Sequence, residues 1–276
     1  MSNEMVTVVT TVYNGIEHFD KAVPSVLSQS YINFEWIIVD DGSNDGTLEK
    51  LYQIAESDPR VKVINEGKMG RTKALNYAIS LASTDFIFQQ DFDDISHPDR
   101  LSLQYSFLKE NPNVGLVGGY YEIHNEIRGE SFLRKPPLEF EEVKNAMAKY
   151  IPICHTISAF RKMAWLDAGQ YDENYNDIID LRFYISLISS GWEARNLSHN
   201  LGVHFVYSDS NYIKANRYAT RQKHFRKLNI KAIKEFKLSY FNYFYVFGRY
   251  FYYLFPAPMK RTIRRGLRIS NEDRIS

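Results

Sequence analysis

Apolar and polar residues alternate in blocks along the first half of the chain. Short β-branched and apolar runs at residues 5–12, 34–39, 61–64, 85–88 and 114–117 predict strands. Between them, apolar residues recur every three or four positions over residues 18–30, 44–55, 70–81 and 99–110, which predicts helices. Strands that alternate with helices of this length indicate βαβ units, so we expect an α/β fold with a mostly parallel sheet.

The second half has a less regular pattern. Residues 139–148 and 177–189 have helical spacing, residues 153–160 have the composition of a strand, and residues 218–237 predict a basic helix. No repeat or obvious linker precedes residue 214 or so. We therefore expect one domain up to residue 214 and an appended segment over residues 215–276.

The formal net charge of +1 conceals two segments of opposite sign. Residues 221–276 contain 14 Lys or Arg against three acids, about +11, which leaves about −10 for the first 220 residues. Aromatic residues divide in the same way, since 12 of the 20 residues at 236–255 are Phe or Tyr. Opposite charge in two segments suggests different partners.

The chain has one cysteine, Cys154, which cannot form an internal disulfide and fits a reducing compartment. The first residues lack a basic region followed by an apolar stretch, so we expect no signal peptide.

Polar side chains gather where the predicted strands end. Those that follow the first, second and fourth strands are Thr11, Tyr13 and Asn14, then Asp40 and Asp41, then Asp91, Asp93 and Asp94. Because ligands of parallel sheets bind outside the carboxyl ends of the strands, this edge is the expected site.

The acidic run Asp91-Phe92-Asp93-Asp94 is the first candidate for chemistry. Three close carboxylates repel one another unless a cation neutralises them, and Mg²⁺ or Mn²⁺ often bridges carboxylates to substrate phosphates. A solvated acidic turn is the alternative. The strand that precedes the run favours the metal interpretation.

Two other carboxylates are candidates. Asp41 could accept hydrogen bonds from a ribose hydroxyl or a base N–H, although the segment Asp40-Asp41-Gly42-Ser43 also has the composition of a turn. Asp180, near a helix start among apolar neighbours, could act as a general base. A helix N-terminal acid or an ion pair with Arg182 is the alternative.

The motifs GxGxxG and GxxxxGK[ST] do not occur in the sequence, which argues against dinucleotide-binding oxidoreductases and P-loop enzymes. A sugar-nucleotide pyrophosphorylase, which needs an N-terminal glycine-rich loop, is disfavoured because VTTVYNG supplies none. A phosphate-bearing ligand would be held by a metal and side chains instead.

The ordered segments resemble family 2 glycosyltransferases, which are inverting enzymes of the GT-A fold. The resemblance rests on VTVVTTVYNG (6–15), SVLSQS (25–30), FEWIIVDDGSNDGT (34–47), GRTKALNYAI (70–79), TDFIFQQDFDDISHPDRL (84–101) and RKMAWLDAGQYDENYNDIIDLRFY (161–184). It implies a GT-A catalytic domain over residues 1–214, with a nucleotide-sugar-binding half (1–120) and an acceptor-binding half (121–214). Residues 215–276 would form a basic, aromatic-rich helical extension.

The resemblance also implies a role for each candidate residue. The nucleotide-sugar site would consist of Thr11, Tyr13, Asn14, Asp41, Arg71 and Asp91, with Asp41 on the base, usually uracil. Asp93 would bind Mn²⁺ or Mg²⁺, and Asp180 would be the general base that activates the acceptor hydroxyl. His155 could contact the acceptor or the diphosphate, or could be bonded within the fold.

Three departures from the family pattern stand out. Ile179-Asp180 replaces the usual Glu-Asp at the base, and the strand before the acidic run ends in Gln89-Gln90 rather than in apolar residues. The acceptor-side segment PICHTISAF (152–160) matches the family only loosely. The first departure leaves open a non-catalytic protein that binds sugar nucleotides or holds an assembly together.

The resemblance says little about residues 215–276, which include the aromatic tail. Asn242 and Arg249 interrupt it, and its tyrosines prefer an interface to a lipid core. With the polybasic segment after it, residues 236–270 suggest a helix on an anionic membrane surface. The enzyme would then be cytoplasmic and peripheral on the inner face of the cell membrane, with a glycan or lipid-linked acceptor. Packing on the domain or formation of a homo-oligomer is the alternative; nucleic acid is disfavoured by the acidic first segment.

Overall fold

The computed structural model describes residues 4–207, 215–255 and 259, and these contain one sheet of nine strands. The strands are β1 (Val6–Val12), β2 (Phe34–Asp40), β3 (Val61–Ile64), β4 (Phe86–Gln89), β5 (Ile95–Ser96), β6 (Val114–Asn125), β7 (Glu130–Arg134), β8 (Ala159–Arg161) and β9 (Glu193–Val206). The helices are α1 (Phe19–Leu27), α2 (Thr47–Ser57), α3 (Arg71–Leu81), α4 (Arg100–Glu110), α5 (Phe140–Ala146), α6 (Lys162–Asp167), α7 (Ile179–Ser189), α8 (Ala215–Glu235) and α9 (Phe241–Leu254).

The strands lie in the order β3-β2-β1-β4-β8-β6-β9-β5, with β7 paired to β6. The first four strands in this order are parallel, β8 is antiparallel to both its neighbours, and β6 and β9 are parallel to each other. Six of the nine strands in the described residues therefore run in one direction, so the predicted mostly parallel α/β sheet is confirmed.

The central strands are buried on both faces because helices cover both sides of the sheet. Val9 and Ile37 point into a core that α3 closes, whereas Val8 and Trp36 point into a second core with residues of α1, α2 and α4. This accounts for the β-branched and mostly apolar runs of β1 and β2, in which the residues of both faces are buried.

The prediction was wrong for residues 153–160. Residues His155–Ile157 form a 3-10 turn, and a strand begins only at Ala159. The turn is closed by the Ser158 backbone N–H and hydroxyl, which both bond to the carbonyl of His155. It brings the hydroxyl of Thr156 within 3.0 Å of the Asp91 backbone nitrogen.

The strand predicted at 114–117 continues to Asn125, and β5, β7 and β9 were not predicted. The long strand β9 contains LSHN, and its side chains are mostly half-buried or exposed between Leu197 and Asn200. This polar middle interrupts the apolar pattern of the strand, and pairing with β6 keeps the segment extended.

The last two described helices lie against the domain. Helix α8 corresponds to the basic helix predicted at 218–237, and the boundary at residue 214 falls outside the described residues. Ile233 of α8 and Val246 of α9 pack with Ala148 in a small apolar cluster. Within the described part of the chain, neither of these helices, nor any other, has the length and apolar content needed to cross a bilayer.

Candidate active site

The three carboxylates of the acidic run meet at the carboxyl end of β4. One oxygen from each of Asp91, Asp93 and Asp94 lies within 4.8 Å of the others. Asp94 is almost fully buried, and it accepts hydrogen bonds from the Phe205 backbone N–H at 2.7 Å and from Nδ1 of His204 at 3.0 Å. Burial would lower the pKa of His204, but Asp94 outweighs it and raises that pKa to about 9.

Asp91 has cationic and polar partners. Arg71 Nη2 donates to its Oδ2 at 3.0 Å, and Gln89 Nε2 donates to its Oδ1, also at 3.0 Å. Burial would raise the pKa of this carboxyl, yet Arg71 and then His155 outweigh it and hold the pKa well below its usual range. Asp91 is therefore an ionised carboxylate in a fixed orientation.

Asp93 has the opposite electrostatic environment. Burial, followed by repulsion from Asp94 and Asp91, raises its pKa to about 7. Its carboxylate accepts no hydrogen bond from the residues that the structure describes. A half-buried carboxylate without a compensating donor, together with the two carboxylates beside it, forms a set of oxygen ligands suited to a hard divalent cation.

Two buried side chains, Gln90 and Arg100, support the loop that carries the acidic run. Gln90 donates through Nε2 to the carbonyls of Asp91 at 2.8 Å and Asp94 at 3.0 Å. Its Oε1 accepts from Ser96 and from the guanidinium of Arg100. Arg100 is fully buried, and its hydrogen bonds within the described part of the chain go to neutral oxygens. Burial lowers its pKa to about 9.

Asp41, directly after β2, anchors the segment that precedes α3, and β1 separates this position from β4. Its Oδ1 accepts hydrogen bonds from the backbone N–H groups of Met69, at 2.6 Å, and Gly70, at 2.8 Å. These residues directly precede Arg71 at the start of α3, so one segment connects Asp41 to the acidic cluster. The turn interpretation holds for the neighbouring Asp40, whose Oδ1 accepts from the backbone of Gly42 and Ser43.

The three predicted residues after β1 lie beside this anchor. Thr11 is half-buried at the end of the strand, and the exposed ring of Tyr13 lies under the Lys68 ammonium, 4.1 Å from the ring centroid. Asn14 has a left-handed backbone, with φ of 53°, and accepts from the Asn44 backbone through Oδ1 at 2.9 Å. Tyr13 thus presents an aromatic face to solvent at the carboxyl edge of the sheet.

Asp180 lies in the first turn of α7, close enough to Arg71 for the two charges to interact. The pKa of Arg71 is raised by the charges of Asp91, Asp93 and then Asp180, which together outweigh the opposite effect of burial. Arg182 does not form the ion pair with Asp180 that was the alternative. Its Nη1 lies 3.9 Å from Oδ2 of Asp172, and its guanidinium stacks on the ring of Tyr175. Ile179 points into the apolar core, so the missing glutamate is replaced by a packing residue.

His155 lies between these groups. Its Nε2 is 3.2 Å from the hydroxyl of Tyr171, and its Nδ1 is 3.5 Å from Oδ1 of Asp91, which is long for a hydrogen bond. It is therefore bonded within the fold and also borders the acidic cluster, while a contact with the acceptor or the diphosphate stays a prediction.

The structure brings Arg71, Asp91, Asp93, Asp180 and His155 together, and it places Thr11, Tyr13, Asn14 and Asp41 at the adjoining strand ends. Sequence reasoning missed the partners Gln89, Thr156 and His204. Only Gln89 had a signal, since an amide at the end of a buried strand needs a polar partner.

The fold and the site define an α/β protein with polar side chains at the carboxyl edge of its sheet and an acidic cluster suited to a divalent cation. The chain matches the family described as glycosyl transferase family 2 over residues 7–168, more than half its length, and belongs to that family. It is accordingly a glycosyltransferase.

Relatives agree with this assignment. The chain is 31% identical over 252 residues to EpsE of Bacillus subtilis (strain 168), which is named as a glycosyltransferase; the match covers 89% of this chain and 87% of EpsE. It is 25% identical over 239 residues to chondroitin synthase of Pasteurella multocida (strain Pm70), covering 87% of this chain and 24% of that protein.

Solved structures confirm the GT-A fold. A mannosyltransferase from Pyrobaculum calidifontis, in complex with GDP-Man and Mn²⁺, aligns with a TM-score of 0.64 at 20% identity, over 83% of this chain and 64% of that one. TarS of S. aureus (residues 1–349), in complex with UDP-GlcNAc, aligns with a TM-score of 0.66 at 17% identity, over 83% of this chain and 67% of that one. The chain therefore spans less than two thirds of the mannosyltransferase and about a quarter of chondroitin synthase.

Proposed function

We propose that the enzyme transfers a sugar, with inversion, from a UDP-sugar to a hydroxyl group of a glycan or lipid-linked acceptor. The observation that carries the proposal is the position of Arg71. Its guanidinium bonds to Asp91 and interacts electrostatically with both Asp93 and Asp180. The donor-side carboxylates and the candidate base therefore lie near one cation, which supports a single site where donor and acceptor meet.

The nucleoside would lie on the edge formed by Thr11, Tyr13, Asn14 and Asp41. Because Oδ1 of Asp41 is held by two backbone N–H groups, its Oδ2 remains available to an N–H donor such as the uracil imide. The exposed ring of Tyr13 offers a stacking surface for the base. These contacts support UDP as the nucleotide.

Asp93 and its neighbours would hold Mn²⁺ or Mg²⁺, which when bound offsets the negative charge that develops on the leaving diphosphate. Arg71 would pair with a phosphate oxygen from the opposite side. Asp180 would accept the proton of the acceptor hydroxyl while that oxygen bonds to the anomeric carbon and the bond from that carbon to the diphosphate breaks. Attack opposite the leaving group inverts the anomeric centre.

Relatives named for polysaccharide synthesis support a glycan acceptor. They include chondroitin synthase and hyaluronan synthase of Pasteurella multocida, and TuaG of Bacillus subtilis, which is named for teichuronic acid biosynthesis. An enzyme that extends a lipid-linked glycan would work in the cytoplasm against the inner face of the membrane. The basic and aromatic residues at 236–270 support that location.

A screen of nucleotides and nucleotide sugars tests the proposal. The temperature of thermal unfolding should rise most with UDP in the presence of Mn²⁺, less with UDP alone, and least with GDP. One UDP-sugar should then be hydrolysed slowly, or transferred to an added glycan, with inverted configuration at the anomeric carbon. Stronger stabilisation by GDP, or a retained configuration, would contradict the proposal.

A further inference from the structure

We infer that the solvent-facing side of α9 is a lipid-binding surface that holds the enzyme on an anionic membrane. The inference rests on the proposed lipid-linked acceptor for its biological purpose, but its evidence is separate from the active site. It concerns four residues that we call the phenylalanine stripe: Phe241, Phe244, Phe247 and Phe251.

One face of α9 attaches the helix to the domain through polar contacts. Asn242 Nδ2 donates to Oδ1 of Asn145 at 3.0 Å, and Arg249 Nη1 donates to the Lys149 carbonyl, also at 3.0 Å. Val246, between them on this face, is buried against Ala148. The two polar residues that interrupt the aromatic sequence are thus the residues that dock the helix.

The opposite face carries the phenylalanines. Phe241 is 80% exposed, Phe244 74%, Phe251 59% and Phe247 45%. At about 100° of rotation per residue, these positions lie within about 120° of the helix circumference. That arc is centred roughly opposite the docking face. Folding has therefore turned a row of large apolar side chains outward, on a helix already anchored by its other side.

Such a row suits the interface of a bilayer. A helix of 14 residues is about 21 Å long, too short to span the hydrocarbon core, and phenylalanines on one side of it can enter the headgroup boundary while the helix lies flat. Tyr240 and Tyr245, which are also exposed, flank the stripe with side chains that favour this boundary.

Charge selects a lipid surface over a second copy of the chain. Residues 221–276 carry 14 Lys or Arg against three acids. Two copies joined through α9 would bring together two segments of about +11 each, whereas anionic lipid headgroups complement that charge. The partner is therefore an anionic membrane surface.

The test is binding of the full chain to sedimented vesicles of phosphatidylcholine, with and without phosphatidylglycerol. The wild type should bind the anionic vesicles more tightly than the neutral ones. The double variant Phe241→Ser/Phe244→Ser should bind the anionic vesicles about tenfold more weakly or worse, because two apolar anchors are lost. Phe→Ser leaves the charge unchanged, so the loss reports apolar insertion.

The matched control is Ile32→Ser/Met163→Ser, which removes two apolar side chains that are 70% and 58% exposed elsewhere on the domain. It should bind vesicles like the wild type. Circular dichroism and vesicle-free hydrolysis of the UDP-sugar should be unchanged in both double variants, which confirms that they fold.

Equal vesicle binding by the stripe variant and the wild type would overturn the inference, as would no binding by the wild type. A wild-type dimer that the stripe variant converts to a monomer would overturn it in favour of a second copy. Failure of sugar transfer with normal, stripe-dependent vesicle binding would instead contradict the proposed function alone.

Discussion

The side-chain amide of Gln89 donates a hydrogen bond of 3.0 Å to Oδ1 of Asp91, from the last residue of a buried strand to the first carboxylate of the acidic cluster. Gln90, the next residue, bonds instead to the backbone carbonyls of Asp91 and Asp94. One glutamine orients a carboxylate and the other shapes the loop. This gives a physical reason for two amides where the family pattern has apolar residues.

Gln89→Leu is therefore expected to weaken donor binding with little change in stability. Asp91 loses one donor, worth about 1 kcal/mol, which corresponds to a roughly fivefold rise in KM for the donor. The substitution also removes Gln89 Oε1, a buried oxygen without a partner among the described residues, and this offsets the loss in folding energy. KM and urea unfolding, measured on the same preparation, check both parts.

Gln90→Leu is the matched comparison. It removes an acceptor from the buried Arg100 and a donor from two loop carbonyls, and should lower the free energy of unfolding by about 2–4 kcal/mol. If the two variants were destabilised equally, the division of roles between the glutamines would be wrong.

Asp93→Asn should raise the stability of the metal-free protein. A carboxyl whose folded pKa, about 7, lies above its ordinary value of 3.8 destabilises the fold once it is ionised, so stability is lost as pH rises through that range. Removing the charge should gain roughly 1–3 kcal/mol at pH 8. The same variant should lose the extra stabilisation that Mn²⁺ gives with UDP.

The control for Asp93 is Asp85→Asn, an exposed acid just before β4. It should keep the response to Mn²⁺ and show no gain in stability. Metal-dependent donor binding that survives in Asp93→Asn would exclude Asp93 as a ligand.

Asp180→Asn should leave UDP binding intact and lower kcat for transfer by about 10²–10⁴, because a neutral amide cannot accept the acceptor proton. Calorimetric titration with UDP and a transfer assay separate the two effects. Asp172→Asn, which alters an acid 3.9 Å from Arg182, should retain most of the transfer rate. A fully active Asp180→Asn enzyme would reject this residue as the base.

Glu35 predicts a pH dependence of stability away from the active site. Burial would raise its pKa, but hydrogen bonds from Lys62, Thr7 and Ser83 outweigh burial and lower it to about 2. Its ionised form therefore stabilises the fold above about pH 4.5, and that contribution is lost as pH falls toward 2.

Glu35→Gln should cost about 2–3 kcal/mol of unfolding free energy at pH 7, and the difference from the wild type should shrink as pH is lowered toward 2. Denaturant titrations at pH 7, 4 and 3 measure it. A difference that stays constant across this range would show that the charge of Glu35 is not the cause.

Much of the fold could be predicted because its strands are buried on both faces. Runs of β-branched and apolar residues identified β1, β2, β3 and β4, with observed bounds within one residue of the predicted ones. The strands β7 and β9 were missed since their side chains are half-exposed and are held extended by pairing. At 153–160, turn hydrogen bonds prevailed over an apolar composition.

The candidate site, like the fold, could be predicted from the sequence only in part. The carboxylates that follow strands could be placed from the sequence because strands that run in parallel end at one edge, whereas Asp180 was placed by its position near a helix start. Their roles in binding and catalysis stay predictions. His204, the partner of Asp94, lies 110 residues further along the chain, and nothing local to either residue marks the pair.

The order of amino acids alone accounts for the strands β1 to β4, for the helices between them and for the edge of the sheet that carries the polar groups, because side-chain periodicity is a local property. Folding in three dimensions settles what each group touches: the Arg71 guanidinium on Asp91, the two glutamines beneath the acidic loop, and the outward turn of the phenylalanine stripe. These depend on which distant surfaces pack together. The same Asn242 and Arg249 that appeared to interrupt an aromatic tail are the contacts that orient it.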